Sequence, residues 1–262
     1  MTDAIPLIVP VLNRFDMFTE MMETVDAPVV PFVIDQWRGN RGVSGAWNLG
    51  MKKVLDAGYT HAIVSNDDLK FYPGSLRLIY ETIKETGAAT VSPNQVRGRA
   101  FEPYSIYEEQ GVRSGADFFC FAVDIEQLTQ TAGWFDQNFS PAYFEDNDMH
   151  YRMINSGLTS LIHTDCMVFH EGSMTQKFDK HNPVTPSHMF EANRAYFARK
   201  WGGMPTEENY TTPFNNPDLT VRDWNGSLVL DGLEESPAQT VLDSIDSLCY
   251  DVPVPRAKYE RL

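Results

Sequence analysis

The chain contains a short apolar run that ends abruptly in an amide and two carboxylates. The run spans residues 61–65 and is followed by Asn66-Asp67-Asp68. Its length and β-branched centre are typical of a buried strand of an α/β sheet, where ligands bind outside the carboxyl ends of the strands. Two adjacent aspartates repel one another and lose hydration at such a place, which favours a nearby cation. Because hard cations take oxygen ligands, the stretch predicts a divalent metal that holds a phosphate-bearing ligand. A solvated turn is the alternative.

Other acidic or imidazole side chains fall at comparable places. Asp35 follows a second predicted strand, Glu145-Asp146 opens a predicted helix, and His170 ends a late strand. Each has a structural alternative, since an aspartate can cap a turn, an acidic pair can complement a helix dipole, and a strand-end histidine can bond to backbone. Their order and shared contexts together favour one functional site over unrelated coincidences.

These side chains must be positioned by alternating strands and helices. In the first half, apolar runs alternate with amphipathic segments that end at Gly58 and Gly87, which predicts a parallel, doubly wound sheet. The predicted strands are residues 5–12, 29–34, 61–65, 88–91, 118–123, 158–162 and 166–169. Residues 97–115 are loop-like, and a last helix is predicted from Ser187 to Trp201.

The composition changes after residue 203 to prolines and acids. Asn225-Gly226 between residues 219–224 and 227–230 is a strong hairpin signal. We therefore expect one α/β domain over residues 1–203, with residues 204–262 as a small C-terminal appendage that contains a β-hairpin.

Net charge and cysteine usage restrict the function class. The 262 residues carry 36 acidic and 21 basic side chains, a net charge of −15, which argues against a broad electrostatic grip on nucleic acid or an anionic membrane. No apolar run has the length of a transmembrane segment, and the first residues lack the pattern of a signal peptide. The three cysteines form no disulfide framework, so we expect a cytoplasmic location.

Several short motifs follow one another along residues 5–202. They are Pro10-x-x-Asn13-Arg14, Asp35, Asn40-x-Gly42, Ala46-x-Asn48-x-Gly50, Asn66-Asp67-Asp68, Gly133-Trp134-Phe135-Asp136, Glu145-Asp146-x-Asp148 with Arg152, His170 with Gly172 and Ser173, and Asn193-x-x-Tyr196-Phe197-x-x-Lys200-Trp201-Gly202. This order resembles that of the inverting, nucleotide-sugar-dependent glycosyltransferases of the GT-A fold, in the family 2-like group. The resemblance implies a Rossmann-like, mainly parallel sheet, with a nucleotide-sugar-binding half at 1–95 and an acceptor-binding, catalytic half at 96–203.

The resemblance also implies a role for each motif. The nucleotide sugar is assigned to Pro10, Asn13, Arg14, Asp35, Asn40, Gly42, Asn48, Asn66 and Asp67. Asp68 and His170 are expected to hold Mn²⁺ or Mg²⁺, although Asn66 stands where the family has an aspartate and leaves the choice between Asp67 and Asp68 open. Asp146 is the expected base, with Glu145 in the adjacent register as the alternative, and Trp134 and Asp136 lie on the acceptor side.

The chemistry of these groups supports the same assignment. A nucleoside diphosphate leaving group develops negative charge, which a cation bridging its phosphates stabilises. One carboxylate and an imidazole, completed by water and phosphate, suit Mg²⁺ or Mn²⁺ better than zinc. Inversion then needs one base for the acceptor hydroxyl, and a neighbouring acid with partial burial raises the pKa of Asp146 toward a useful value.

Aromatic residues in loop-like stretches are further acceptor-side candidates. They are Tyr104, Tyr107, Trp134, Phe139 and Tyr143. Such rings stack on sugar faces, yet packing in the core explains many of them equally well.

Alternatives to sugar transfer remain at this point. Sheets with paired aspartates and a metal also carry out nucleotidyl transfer, and a module that only binds the nucleotide sugar is a third possibility. A UDP-sugar is the commonest donor in families of this kind. The acceptor is open between a protein side chain, a glycan, a modified nucleobase and a small molecule, and residues 204–262 could mediate homo-oligomer formation.

Overall fold

The computed structural model of the chain describes residues 4–37, 39–97, 101, 111–177 and 184–222. The strands are β1 (Ile5–Val11), β2 (Val29–Asp35), β3 (His61–Ser65), β4 (Leu69–Phe71), β5 (Thr90–Val96), β6 (Val112–Ser114), β7 (Cys120–Asp124) and β8 (Ser160–His170). The helices are α1 (Phe15–Glu23), α2 (Gly42–Asp56), α3 (Ser75–Thr86), α4 (Ile125–Thr131), α5 (Glu145–Asn155), α6 (Met174–Lys177) and α7 (Ser187–Trp201), followed by a 3-10 turn at Pro213–Asn215.

Within these residues the strands form one eight-stranded sheet in the order β2-β1-β3-β7-β5-β8-β4, with β6 paired to β8. The strands β1, β2, β3, β5 and β8 share one direction, so the sheet is mainly parallel. Successive residues of a strand point to opposite faces of the sheet, so apolar residues lie on both faces, and helices pack on each of them. Leu7 and Val9 belong to the core under α1 and α3, whereas Ile8 belongs to the core under α2, α4 and α5. The predicted α/β class with a doubly wound sheet is confirmed.

Strand direction differs from the expectation in the second half of the chain. β7 runs antiparallel between β3 and β5, with Ser65 opposite Cys120 and His61 opposite Asp124. An apolar run predicts burial but carries no signal of direction, so the sequence did not distinguish the two orientations. As a result, the start of β7 meets the ends of the parallel strands.

Other elements differ in extent. The two predicted strands at 158–162 and 166–169 are one strand, β8, which pairs with β5 along its length and shifts register between Pro93 and Asn94. The predicted loop at 97–115 contains the short strand β6. The break that the hydrophobic pattern indicates is this register shift: residues 164–166 fall between the two stretches of β8 that pair with β5, and pairing on both sides of them keeps β8 one strand.

The described part of the C-terminal appendage, residues 204–222, packs on α7 and α5. The backbone N–H groups of Asn209 and Tyr210 donate to the Trp201 carbonyl, and the Tyr151 hydroxyl donates to the Tyr210 carbonyl at 2.9 Å. Residues 219–222, the described part of the first predicted hairpin strand, are not a strand: 219 and 220 have no regular structure and 221–222 form a turn. The rest of the predicted hairpin lies outside the described residues. None of the described helices combines the length and the apolar character that a bilayer crossing requires.

A buried network of four charges joins α5 to α7. Asp136, Asp148, Arg152 and Lys200 are all fully buried. Lys200 Nζ lies 2.7 Å from Asp136 Oδ2 and 2.7 Å from Asp148 Oδ1, and Arg152 lies 2.8 Å from Asp148 Oδ2. Two positive and two negative side chains balance, which is the condition under which charges are tolerated in a protein interior. The network fixes the position of α5, whose first turn enters the candidate site.

Candidate functional site

A cleft of about 370 Å³ opens at the carboxyl end of the parallel strands. It brings together most of the residues singled out from the sequence: Pro10, Asn40, Gly42, Asn66, Asp67, Asp68, Tyr143, Glu145, Asp146 and His170. These positions come from both halves of the chain. The carboxylate pair after β3, the imidazole at the end of β8 and the acidic start of α5 therefore face one shared space.

The register of β4 on β8 places Asp68 beside His170. Leu69 pairs with His170, so the residue that precedes β4 meets the end of β8. Asp68 Oδ1 lies 3.1 Å from His170 Nε2, and Asp68 Oδ2 accepts the Met174 N–H at 3.2 Å. Burial opposes ionisation of Asp68, but the imidazole and this N–H outweigh it and lower the pKa of the carboxyl. Asp68 is therefore the ionised member of the pair.

Asp67 has the opposite character. Burial, followed by the charge of Asp68, raises the pKa of Asp67 to about 7. Its Oδ2 atom is buried with no hydrogen-bond partner among the described residues, while Oδ1 lies 3.5 Å from the Thr175 hydroxyl. A buried carboxylate oxygen without a partner is costly, and a cation or a ligand hydroxyl would satisfy it.

The donor set fits a divalent cation in part. In the described residues, no group of three or more histidine, cysteine or acidic side chains is arranged to hold a metal. Asp68 and His170 supply two ligands, and Mg²⁺ commonly uses one or two carboxylates together with substrate phosphates and water. The pair therefore fits a cation that is completed by a phosphate-bearing ligand, and does not fit a site built from protein alone.

The acidic start of α5 is held by the turn that precedes it. Tyr143 and Phe144 adopt left-handed backbone conformations with φ of 80° and 73°. The Asn193 side chain donates to the Ala142 carbonyl at 2.9 Å and to the Tyr143 carbonyl at 3.3 Å, which ties this turn to α7. The turn makes Glu145 the first residue of the helix and directs it into the cleft.

Glu145 and Asp146 differ in protonation. Glu145 is only 6% exposed, and burial followed by the nearby Asp146 charge raises its pKa well above the ordinary value. Its Oε2 atom has no hydrogen-bond partner among the described residues. Burial also raises the pKa of Asp146, but by less, because the backbone N–H of Asn147 donates to Asp146 Oδ1 at 2.8 Å. Asp146 is the more readily ionised of the two.

The cleft also contains polar residues that the sequence did not single out. They are Gln36, Gln95, Arg97, Asp117 and Thr175. Asp117 lies within electrostatic reach of both His170 and Asp146, and burial raises its pKa. It directly precedes the apolar run of β7. Because this run is antiparallel to its neighbours, Asp117 lies at the ligand-binding end of the sheet. The sequence carries no signal of the strand's direction, so it did not reveal Asp117.

Three predicted residues of the nucleotide half lie outside the lining. Asp35 is exposed, and its Oδ1 atom accepts the Trp37 N–H at 2.8 Å. Arg14 forms a 2.7 Å ion pair with Asp16 and contributes positive charge toward Asp67. Asn13 has a buried Oδ1 atom with no hydrogen-bond partner in the described ranges. Their predicted contacts with the nucleotide remain predictions.

Three more predicted residues are part of the protein interior. Asn48 is fully buried, and its side-chain amide donates to the Phe135 carbonyl at 2.8 Å and accepts the Phe135 N–H at 3.0 Å. Asp136 belongs to the buried charge network, and Trp134 packs against the core under α2 and α5. These positions support the walls of the cleft from behind.

Comparisons with known proteins give a match in structure only. No protein-family model and no curated protein sequence matches the chain. A crystal structure of S. aureus TarS, residues 1–349, in complex with UDP-GlcNAc aligns with a TM-score of 0.52 and 12% identity over 72% of this chain. The chain spans 64% of the length of that structure. A second crystal structure of S. aureus TarS, residues 1–349, and one in complex with UDP each align with a TM-score of 0.49, at 11% and 12% identity, over 78% of this chain and 74% of theirs. The chain and TarS share the same α/β fold.

Proposed function

We propose that the chain is a metal-dependent, inverting glycosyltransferase that moves a sugar from a nucleoside diphosphate sugar to an acceptor hydroxyl. The observation that carries this proposal is the shared cleft, in which the Asp67-Asp68 pair and His170 face Asp146. The fold shared with a protein that was solved with UDP-GlcNAc supports the choice of a UDP-sugar as donor. The domain division at residue 203 and the acceptor-side role of residues 96–203 belong to the same proposal.

The donor half of the cleft would bind the nucleotide and its phosphates. Asp68 and His170 would hold Mn²⁺ or Mg²⁺, and Asn66 at the end of β3 would contact the ribose. When bound, the cation supplies positive charge where the nucleoside diphosphate becomes more negative on departure. The unpartnered oxygen of Asp67 is available to accept a hydrogen bond from a ligand hydroxyl or from water.

The acceptor half would supply the base. Asp146 removes the proton from the acceptor hydroxyl as that oxygen attacks the anomeric carbon from the face opposite the leaving group. Glu145 is suited to a different task, because a carboxyl whose pKa is raised well above its ordinary value keeps its proton to a higher pH and, while protonated, donates a hydrogen bond. Two adjacent acids thus divide into one base and one neutral donor, and Asp146 is the preferred base.

A ligand panel tests the donor and the cation together. We expect UDP-sugars to raise the melting temperature with Mn²⁺ or Mg²⁺ present and to lose this effect in EDTA, since a ligand at 100 times its Kd stabilises by about 2.7 kcal/mol. The Asp68→Asn variant should lose the metal-dependent shift. The matched control is Asp56→Asn, which removes an exposed carboxylate that pairs with Lys52 on α2.

Two outcomes would contradict the proposal. Stabilisation by nucleoside triphosphates with release of pyrophosphate would indicate nucleotidyl transfer instead. Tight UDP binding without transfer to any acceptor, and without slow hydrolysis of any UDP-sugar, would indicate a binding module.

The pH dependence of transfer tests the base separately. Asp146 works as a base only when it is ionised, and burial raises its pKa above the ordinary 3.8. We therefore expect kcat/KM to fall as the pH is lowered through this raised pKa, at a pH above the ordinary titration of an aspartate. Measurement of kcat/KM against pH at saturating metal gives the midpoint. If kcat/KM falls to half its maximum only at or below pH 3.8, the ordinary pKa of an aspartate, the role of Asp146 is contradicted.

A further inference from the structure

The orientation of the Gln95 side chain is fixed from one side by Arg97. β5 and β8 are parallel neighbours in which Gln95 pairs with Val168 and Val96 with Phe169, so Gln95 reaches the end of β8. Arg97 Nε donates to Gln95 Oε1 at 2.7 Å. Since a guanidinium has donors and no acceptor, the Gln95 carbonyl oxygen must face Arg97 and its NH₂ group must face the other way.

That NH₂ group meets the imidazole of His170. Gln95 Nε2 is hydrogen-bonded to His170 Nδ1, and the imidazole is stacked on Phe119 with ring centroids 5.0 Å apart and an interplanar angle of 13°. An NH₂ group can only donate, so Nδ1 must accept and carries no proton. A neutral imidazole has one N–H, which is then on Nε2. Nε2 lies 3.1 Å from Asp68 Oδ1, off the line of an ideal hydrogen bond but next to a negative charge.

This arrangement is the reverse of the usual support for a metal-bound histidine. A ligating imidazole normally donates its second N–H to a carboxylate or carbonyl oxygen, which leaves a lone pair for the metal. In this chain the second nitrogen faces a donor, and the nitrogen that faces Asp68 carries the proton. Cation binding at Nε2 requires the proton to move to Nδ1, where it would point at the Gln95 NH₂ group.

Rotation of the Gln95 amide does not remove this conflict. The rotated amide would present its oxygen to an Nδ1 proton, but its NH₂ group would then face the Arg97 guanidinium. Two donors would point at each other, and the 2.7 Å hydrogen bond from Arg97 would be lost. Arg97 therefore holds Gln95 in the orientation that keeps the proton on Nε2.

We propose that Gln95 is a positioning residue that holds the His170 proton on Nε2, facing Asp68, and thereby restrains the affinity of the Asp68–His170 pair for a divalent cation. The second half of this statement rests on the proposed metal site. Gln95 controls how readily Asp68 and His170 give up their contact with each other to bind a cation. It takes part in no bond-making step.

The direction in which one substitution changes the Mn²⁺ affinity tests the proposal. In Gln95→Leu, the donor opposite Nδ1 is absent, so nothing opposes the tautomer of His170 that binds a metal. Mn²⁺ should therefore bind about 10-fold more tightly. The signal of free Mn²⁺ in electron paramagnetic resonance measures this affinity directly. A glutamine that supported a metal-bound histidine through its oxygen would give the opposite result, a loss of about 10- to 100-fold. The matched control is Gln36→Leu, another glutamine of the cleft lining, for which we expect unchanged Mn²⁺ affinity.

The imidazole nitrogens give a second, metal-free readout. In ¹⁵N-labelled wild-type protein without metal, the His170 signals should show the proton on Nε2, and comparison with His170→Gln identifies these signals among the six histidines. A proton on Nδ1, or weaker Mn²⁺ binding in Gln95→Leu, would overturn the proposal. If neither wild type nor Gln95→Leu binds Mn²⁺, the metal site of the proposed function and the restraint by Gln95 both fail. In that case the ¹⁵N spectrum still decides the position of the proton.

Discussion

Replacement of Asp146 with asparagine is expected to lower kcat at least about 100-fold, the range typical for loss of a general base. The substitution keeps the size and the hydrogen bond from the Asn147 N–H, but removes the only group of the pair that ionises readily. The KM for the donor should change little, because the proposed task of Asp146 is to take the proton of the acceptor hydroxyl. Steady-state rates measured over a range of UDP-sugar concentrations, at saturating metal and acceptor, give both parameters.

Glu145→Gln is the matched comparison. Burial raises the pKa of Glu145 well above its ordinary value, which favours the protonated carboxyl. An amide of the same shape retains the hydrogen-bond donor of that form, so we expect a much smaller loss of kcat than in Asp146→Asn. Circular dichroism and melting temperature establish that both variants are folded. A larger loss in Glu145→Gln than in Asp146→Asn would transfer the role of base to Glu145.

Asp148→Asn is expected to reduce the free energy of unfolding by about 3–5 kcal/mol, the usual effect of removing one partner from a buried ion pair. Asp148 accepts from Arg152, Lys200 and the Trp201 indole at 2.7–2.8 Å. Without the charge of Asp148, Arg152 loses its ion-pair partner, and the two buried cations of the network are balanced by one carboxylate charge, that of Asp136. Equilibrium unfolding in urea, followed by tryptophan fluorescence, measures the loss.

Two variants separate charge balance from packing. Asp148→Asn combined with Lys200→Met leaves one buried cation and one buried anion, so the pair should lose less stability than the sum of the single variants. Asp56→Asn, which breaks an exposed ion pair with Lys52, should cost less than about 1 kcal/mol. Equal effects of Asp148→Asn and Asp56→Asn would contradict the importance of the buried network.

The first half of the fold was accessible from the sequence because each signal there is local. Apolar runs bounded by Gly58 and Gly87 define parallel strands and the helices between them, and ligands bind at the carboxyl ends of such strands. The polar stretch Asn66-Asp67-Asp68 directly after β3 therefore lies in the cleft. The same reasoning placed His170, which ends β8, beside it.

The second half depends on pairing between distant segments. Asp117 was missed because the direction of β7 is set by its neighbours β3 and β5, and no local pattern encodes it. Gln95 was missed for a similar reason, since its importance comes from a register with β8 that spans about 75 residues.

Motif residues can also have a structural task that residue type does not reveal. Asn48 and Asp136 occupy positions of the recognised motifs, yet one fixes the Phe135 backbone and the other pairs with Lys200, 64 residues away. A buried amide and a buried carboxylate are equally suited to ligand contacts and to internal hydrogen bonds. Only the partners distinguish the two tasks, and the partners come from elsewhere in the chain.

The reversed direction of β7 has a consequence for redesign of this protein. The residues that enter β7, Asp117 to Phe119, reach the same end of the sheet as the segments that leave β1 and β3. A library of variants confined to this entrance can reshape one wall of the cleft while β1, β2 and α2 keep their sequence.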